Sequence, residues 1–197
     1  MSTKASHPSP AEWTLAMALL QQAPLAYIAM VETARPDGSA APDGSARPYV
    51  VPMNFAYEPT EALLGAVAEA RTKAPTAMGR LFIHTGEGRK TEALARHPRV
   101  CMAITADESF DQGANPCEDG FAFRSVLIEG RALLLEDEGQ RETALRAIVV
   151  KYDPSAAALP LSEAVLAKTL VYAITIETLT YRERPRRSAP PAADASL

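Results

Sequence analysis

The chain has little that would tie it to a metal, a membrane or a nucleic acid. Only two of its 197 residues are cysteine, Cys101 and Cys117. Neither has a second cysteine or a histidine at metal-ligand spacing, which argues against a structural zinc site or any other metal centre. Cys101 lies in an apolar, strand-like run, where burial raises a thiol's pKa, so it is expected to be a core residue and not a nucleophile. No apolar run approaches the ~18 residues of a membrane span, and the first residues lack a basic-then-apolar leader pattern. These absences point to a protein of the reducing cytoplasm with no membrane contact. Charge is not one-sided either: 20 Lys and Arg stand against 24 Asp and Glu, a net −4. A nucleic-acid partner held by bulk positive charge is not expected, although a local basic pocket is compatible with an acidic chain.

What the chain does have is apolar content for one core, 47% hydrophobic residues in a length that suits one domain. Its most informative stretch is residues 81–92, LFIHTGEGRKTE. Apolar residues run into a turn holding Gly86 and Gly88, Arg89 and Lys90 follow, and residues 91–97 read as a short helix stopped by Pro98. Glycines let backbone N–H groups approach an anion, a helix start adds partial positive charge, and Arg89 and Lys90 add a forked and a point-charge donor. The pattern predicts a phosphate site. A tight strand-to-helix turn with a solvated Arg-Lys pair is the competing reading, and local sequence leaves both open. A Walker loop is excluded, because the positions where it needs its two glycines hold His84 and Arg89.

Around this stretch the chain reads as follows. Residues 1–8 are polar and expected to be flexible. Ser9-Pro10-Ala11-Glu12 is a capping box with proline at the first helical position, and Trp13, Ala16, Met17 and Leu20 form one apolar face, so this helix should pack on a sheet. Residues 25–31 predict a buried strand. The unit PDGSA then occurs twice, which reads as a lengthened hairpin tip, and residues 49–57 predict the returning strand. Pro52 within it points to a sheet edge or to backbone facing a ligand. Residues 58–78 predict a helical insert, capped by Thr60, with Leu63, Leu64, Val67 and Ala68 on one side. After the central stretch, residues 99–105 predict a strand, 107–120 an irregular loop, and 121–136 a long strand with a bulge or bend at Gly130. Asp137 caps a helix whose buried side is Ala144, Leu145, Ile148, Val149 and Tyr152, with Arg141 and Arg146 outward and Pro154 ending it. A short helix near 161–167 and a strand over 170–179 follow, and residues 183–197 are expected to be disordered. About six strands joined by hairpins or single helices favour a mainly β (α+β) fold, a small antiparallel barrel with flanking helices, over a doubly wound sheet. His7 and His97 read as solvated surface residues.

With these pieces in order, the chain resembles the flavin-binding split-barrel family around pyridoxamine 5′-phosphate oxidase, most closely its nitroimidazole-resistance (Nim-type) branch. The resemblance covers residues 25–181 and rests on three blocks: Arg47-Pro48-Tyr49-Val50-Val51-Pro52-Met53-Asn54-Phe55; His84 to Lys90 with Arg96-His97-Pro98-Arg99-Val100 behind it; and Phe123-Arg124-Ser125-Val126 leading to Gly130-Arg131-Ala132. It implies one FMN-binding split-barrel domain over residues 9–182 and a homodimer with the cofactor at the interface. In that reading Arg89 and Lys90 grip the FMN phosphate beside Gly88, and His84 and Thr85 lie along the ribityl chain or ring. Met53 and Asn54 lie near the isoalloxazine, and Arg124 and Ser125 complete the pocket. The flavin carries the redox chemistry. His84 is the candidate catalytic residue, with a strand-end histidine bonded to backbone as the competing reading. The implied function is an FMN-dependent oxidoreductase that reduces a nitroaromatic or similar small acceptor, with electrons from NAD(P)H or another donor. The alternatives are a non-catalytic flavin- or haem-binding carrier or sensor, and a deazaflavin-dependent reductase. Two features depart from the family: the insert at 58–78 stands where relatives have a tight hairpin turn, and the C-terminal Trp and Arg pattern of true pyridoxamine-phosphate oxidases is lacking. That activity is not expected.

Overall fold

A computed structural model of the chain describes residues 8–33, 46–68, 78–113 and 115–186. The first helix, α1 (Pro10–Gln22), starts as its sequence demands. The Ser9 side chain accepts from the Glu12 N–H, the Glu12 carboxylate accepts from the Ser9 N–H at 2.7 Å, and Pro10 occupies the first turn. Seven strands follow: β1 (Ala26–Glu32), β2 (Arg47–Met53), β3 (Phe55–Glu58), β4 (Arg80–Thr85), β5 (Arg99–Asp111), β6 (Gly120–Leu134) and β7 (Leu170–Arg184). They form one antiparallel sheet in the order β2-β1-β5-β6-β7-β4-β3. Helices α2 (Glu61–Ala68), α3 (Arg89–Arg96), α4 (Glu138–Tyr152) and α5 (Glu163–Lys168) lie between strands.

The strand order contains its own closure argument. β2 and β3 are the two outermost strands, yet a single residue, Asn54, separates them in the chain. Laid flat, edges six strand spacings apart would be ~29 Å distant, whereas Met53 and Phe55 lie no more than ~7 Å apart along the backbone. The sheet therefore curls until its edges meet at Asn54, and no ladder joins β2 to β3. This is a split barrel, mainly β with flanking helices.

Its interior is filled from the inward positions of the strands, among them Ile28, Met30, Phe55, Leu81, Ile83, Met102, Ile104, Ile128 and Ile174, with Trp13, Ala16, Leu19 and Leu20 of α1 joining them. A second core lies between α4 and the other face of β3, β4 and β7, where Ala144, Leu145 and Ile148 meet Ala56, Phe82, Val171 and Ala173. The C-terminal end of α4 fastens the seam. The Tyr152 hydroxyl accepts from the Phe55 N–H at 3.0 Å and lies 2.8 Å from the Pro24 carbonyl, to which it donates. Lys151 Nζ stands 3.3 Å from the centroid of the Phe55 ring and donates to the Leu20 carbonyl at 3.1 Å. That carbonyl lies in the last turn of α1, which has no basic residue of its own, so α4 supplies the cation from outside.

Several expectations change. The strand foreseen over 49–57 is two strands on opposite edges, which makes seven and not six; a continuous β pattern cannot reveal that the chain swaps edges at Asn54. Pro48 and Pro52 do sit on an edge strand, β2, four residues apart, so both missing N–H groups fall on one side. The helix after the glycine turn begins at Arg89 and not at 91, making Arg89 and Lys90 its first residues. β5 runs on to Asp111, into the stretch expected as loop, through a register shift between Ala106 and Ser109 where Asp107 takes a positive φ of 60°. β7 continues through Glu183 to Arg184, so the first two residues of the stretch expected as disordered belong to a strand; residues 187–197 lie outside the described residues, as do 1–7 and 34–45, which hold all of the PDGSA repeats but the last alanine. Thr60 does cap α2, accepting from the Leu63 N–H at 3.2 Å; Leu63 turns inward, while Leu64 is 46% exposed. The rest of the foreseen insert, 69–77, lies outside the described residues. Tyr152 is 38% exposed because its hydroxyl serves the seam. Arg146 reaches the Ala157 and Leu159 carbonyls, and Arg141 the Leu166 carbonyl, so both tie down the segment after α4 instead of pointing to solvent. Gly130 marks a bulge as foreseen: the β6–β7 register slips there, and an added Cβ would sit 2.3 Å from the Thr175 carbonyl oxygen.

Candidate functional site

The turn between β4 and α3 is built from the residues that the sequence singled out. Gly88 is the N-cap of α3 at φ 136°, a conformation that side chains rarely adopt, and a Cβ on Gly86 or Gly88 would meet nothing within 4 Å, so the turn faces open space. The Gly88 N–H is not free for a ligand, since it donates to Thr91 Oγ1 at 3.1 Å, and Thr91 Oγ1 donates back to the Gly88 carbonyl at 2.7 Å. The Gly88 carbonyl also accepts from the Glu92 N–H. The donors left at the helix start are therefore the N–H groups of Arg89, Lys90 and Thr91, which have no acceptor within a helix.

The two cations are anchored across β1 and β2. Arg89 Nε donates to Glu32 Oε1 at 2.5 Å and Nη2 to Glu32 Oε2 at 2.6 Å. The Arg89 guanidinium lies 4.0 Å from the centroid of the Tyr49 ring. Lys90 Nζ stands 3.7 Å from Met53 Sδ, a weak acceptor, so the ammonium keeps most of its donor capacity. Glu32 is buried at 6% exposure, and the hydrogen bonds of Arg89, helped by the charges of Arg89 and Arg47, hold its carboxyl below the usual range against the opposing effect of burial. Arg47 sits opposite Glu32 in the β1–β2 register. The result is a rim with three cations, one buried carboxylate and one aromatic face, suited to a ligand with concentrated negative charge beside a planar or apolar group.

His84 and Thr85 are neighbours on β4 and so point to opposite faces. Thr85 is buried, with its hydroxyl donating to the Gly86 carbonyl at 3.1 Å. His84 is exposed, and partial burial together with the nearby Lys90 charge lowers its pKa, which favours the neutral ring near pH 7. Met53 is buried at the end of β2, and Asn54 forms the seam itself. Arg124 and Ser125 are not brought to this cluster. They pair with Ala106 and Thr105: the registers set Met53 nearly level with them but three strands away, on the order of 14 Å across the sheet, and set Glu32 level with Pro98, on the order of 25 Å further down β5. Arg124 is engaged there with Asp107, in a separate cleft of about 190 Å³ that also includes Glu183 and Arg184.

Glu32 and Tyr49 were not foreseen as site residues. Glu32 had a signal: the inward positions of β1 run Ala26, Ile28, Met30, Glu32, and a carboxylate at a core position demands a partner. Cys101 is only partly buried, and burial with the nearby Glu129 charge pushes its thiol up, in keeping with an unreactive residue. Among the described residues no cluster of His, Cys, Asp and Glu suits a metal ion, and no helix is long and apolar enough to cross a membrane.

A family model described as pyridoxamine 5′-phosphate oxidase matches residues 12–183. No curated protein matches the chain. Among solved structures, a candidate 5-nitroimidazole antibiotic resistance protein from Bacteroides thetaiotaomicron superposes with a TM-score of 0.60 at 22% identity, over 85% of this chain and 81% of that one. An FAD and haem binding protein from Mycobacterium smegmatis gives 0.60 at 22% identity, over 89% and 72%. The flavocytochrome Anf3 from Azotobacter vinelandii gives 0.58 at 21% identity, over 91% and 69%. At such identities the likeness speaks for the fold.

Proposed function

The chain belongs to the pyridoxamine 5′-phosphate oxidase family, and from that premise we propose that it is a flavoprotein oxidoreductase holding FMN by its phosphate at the start of α3. The observation that carries the reading is the pair of adjacent cations, Arg89 and Lys90, fixed beside an open glycine turn and the unpaired N–H groups of a helix start. The donor set fits the group: a terminal phosphate offers three free oxygens, and the clamp offers a forked guanidinium, an ammonium and backbone N–H groups. When bound, FMN supplies the electron transfer. Met53 and Asn54, at the seam beside Lys90, give the flavin ring an apolar wall and an amide. Neutral His84, close enough to Lys90 to feel its charge, is suited to give or accept a hydrogen bond or proton toward a small acceptor such as a nitroaromatic. Reduced nicotinamide is the proposed donor.

The separation of Arg124 and Ser125 from the clamp supports a homodimer in which a second copy brings that half to the cofactor. An apolar sheet face suits such a contact. Tyr27, Val31, Val50 and Leu127 are 38–55% exposed and lie on one face, linked by the pairs Tyr27↔Ala103, Ala103↔Leu127, Ala29↔Val50 and Val31↔Pro48. The absorption spectrum of the protein as isolated, followed by anaerobic addition of NADH or NADPH, tests the function. Flavin bands that bleach support it. A sharp Soret band marks haem instead, and flavin bands that persist with both donors mark a carrier or sensor.

A further inference from the structure

Glu32 does more at this site than neutralise a charge. Its two oxygens take Nε and Nη2 of Arg89, the side-on edge of the guanidinium, at 2.5 and 2.6 Å. The Tyr49 ring covers one face of the same group at 4.0 Å. With one edge and one face occupied, the remaining forked edge, made by Nη1 and the second N–H of Nη2, is the one left for a bidentate acceptor. Arg89 is 47% exposed while Glu32 is 6% exposed, so the carboxylate that fixes the pair is shielded from solvent and the guanidinium stays accessible.

Resting on the reading of this turn as a flavin-phosphate clamp, we infer that Glu32 is a positioning residue that sets the cofactor's phosphate specificity. It converts a flexible arginine into an oriented fork for the terminal phosphomonoester of FMN. A free arginine would lose side-chain entropy on binding any anion, and the Glu32–Tyr49 brace removes that cost before the ligand arrives. A terminal phosphomonoester, with three non-bridging oxygens, can fill the fork and still offer an oxygen to a further donor, whereas each phosphorus in the internal diphosphate of FAD has only two.

The competing idea is that Glu32 is an electrostatic rival that weakens anion binding, and the two diverge in sign. In Glu32→Gln the side-chain amide cannot accept from both Nε and Nη2, so the brace is broken while size is kept. Calorimetric titration of the flavin-free dimer with FMN and with riboflavin reads the effect as a ratio of affinities. The expected result is an FMN-over-riboflavin preference that falls about tenfold or more in Glu32→Gln, the worth of one hydrogen bond to a charged group, with riboflavin affinity unchanged. A merely structural role would weaken both flavins together and leave the ratio alone. An unchanged or increased FMN preference in the variant overturns the inference. A wild-type protein that binds the two flavins equally defeats the phosphate-clamp reading, and this inference falls with it. Should Glu32→Gln not fold, Tyr49→Leu removes the other half of the brace without touching charge. The same ratio is expected to drop there, and a ratio equal to wild type overturns the proposal.

Discussion

Replacing Tyr152 with phenylalanine removes one oxygen atom from the point where the barrel's edges meet. The ring stays, so packing is kept, but the Phe55 N–H loses its acceptor at 3.0 Å and the Pro24 carbonyl its donor at 2.8 Å. A hydrogen bond is worth about 1 kcal/mol net, and leaving a buried partner unsatisfied costs about 1–3 kcal/mol. Phe55 is fully buried, which pushes toward the upper end, while Tyr152 is 38% exposed, so water can replace part of the loss. The expected cost is about 2 kcal/mol, or a Tm lowered by roughly 4–8 °C for a domain of this size. Differential scanning calorimetry with a parallel urea melt measures it. Because Phe55 follows Asn54 and Met53, the variant should also bind FMN several-fold more weakly. A Tm within about 1 °C of wild type would refute the view that this hydroxyl holds the seam.

Other perturbations follow from the same contacts. Gly130→Ala drives a Cβ to 2.3 Å from the Thr175 backbone oxygen, so the β6–β7 bulge must shift, with a loss of about 1–3 kcal/mol or more in denaturant melts. Leu63→Ala should cost about 2–5 kcal/mol, because Leu63 is fully buried and joins the main core; Leu64→Ala, at a position 46% exposed, should stay within about 0.5 kcal/mol. Equal effects would mean that α2 only decorates the surface. Lys151 gives up its proton near pH 8 in the folded protein because of burial, against 10.5 for the ordinary group. The unfolded chain therefore binds more protons between those values, and stability should rise with pH through that window relative to Lys151→Met. A difference between the two proteins that is flat or falls with pH would contradict the burial of that ammonium.

The parts of the molecule legible in the sequence are those whose cause is local. Ser9 and Glu12 meet within one helical turn, Asp137 caps α4 by accepting from the Gln140 N–H three residues on, and His84 to Lys90 form a contiguous turn whose glycines and charges can be read in place. Pro52 announced an edge because proline lacks a ladder donor. What stayed hidden depends on long range. Glu32 and Arg89 are 57 residues apart, and only the fold shows which buried acid meets which arginine. The seam was invisible because residues 49–57 keep a β pattern throughout, while the switch of edges at Asn54 is a property of the whole sheet. Arg89 and Lys90 oppose the helix dipole as the first residues of α3, and their contacts with Glu32, Tyr49 and Met53 stabilise there what local preference does not.

If Lys90 and Arg89 together hold a flavin phosphate, as proposed, Lys90 is the cleaner probe. Arg89→Ala strands the buried Glu32 carboxylate and mixes folding with binding, whereas the Lys90 ammonium makes a weak contact with the Met53 sulfur, at 3.7 Å, and its loss strands no buried charge among the described residues. FMN titration of Lys90→Ala, alongside its thermal unfolding, is the direct measurement. The expected result is an FMN affinity lowered about tenfold or more with Tm essentially unchanged. FMN binding as tight as in the wild type would contradict it and put the phosphate elsewhere.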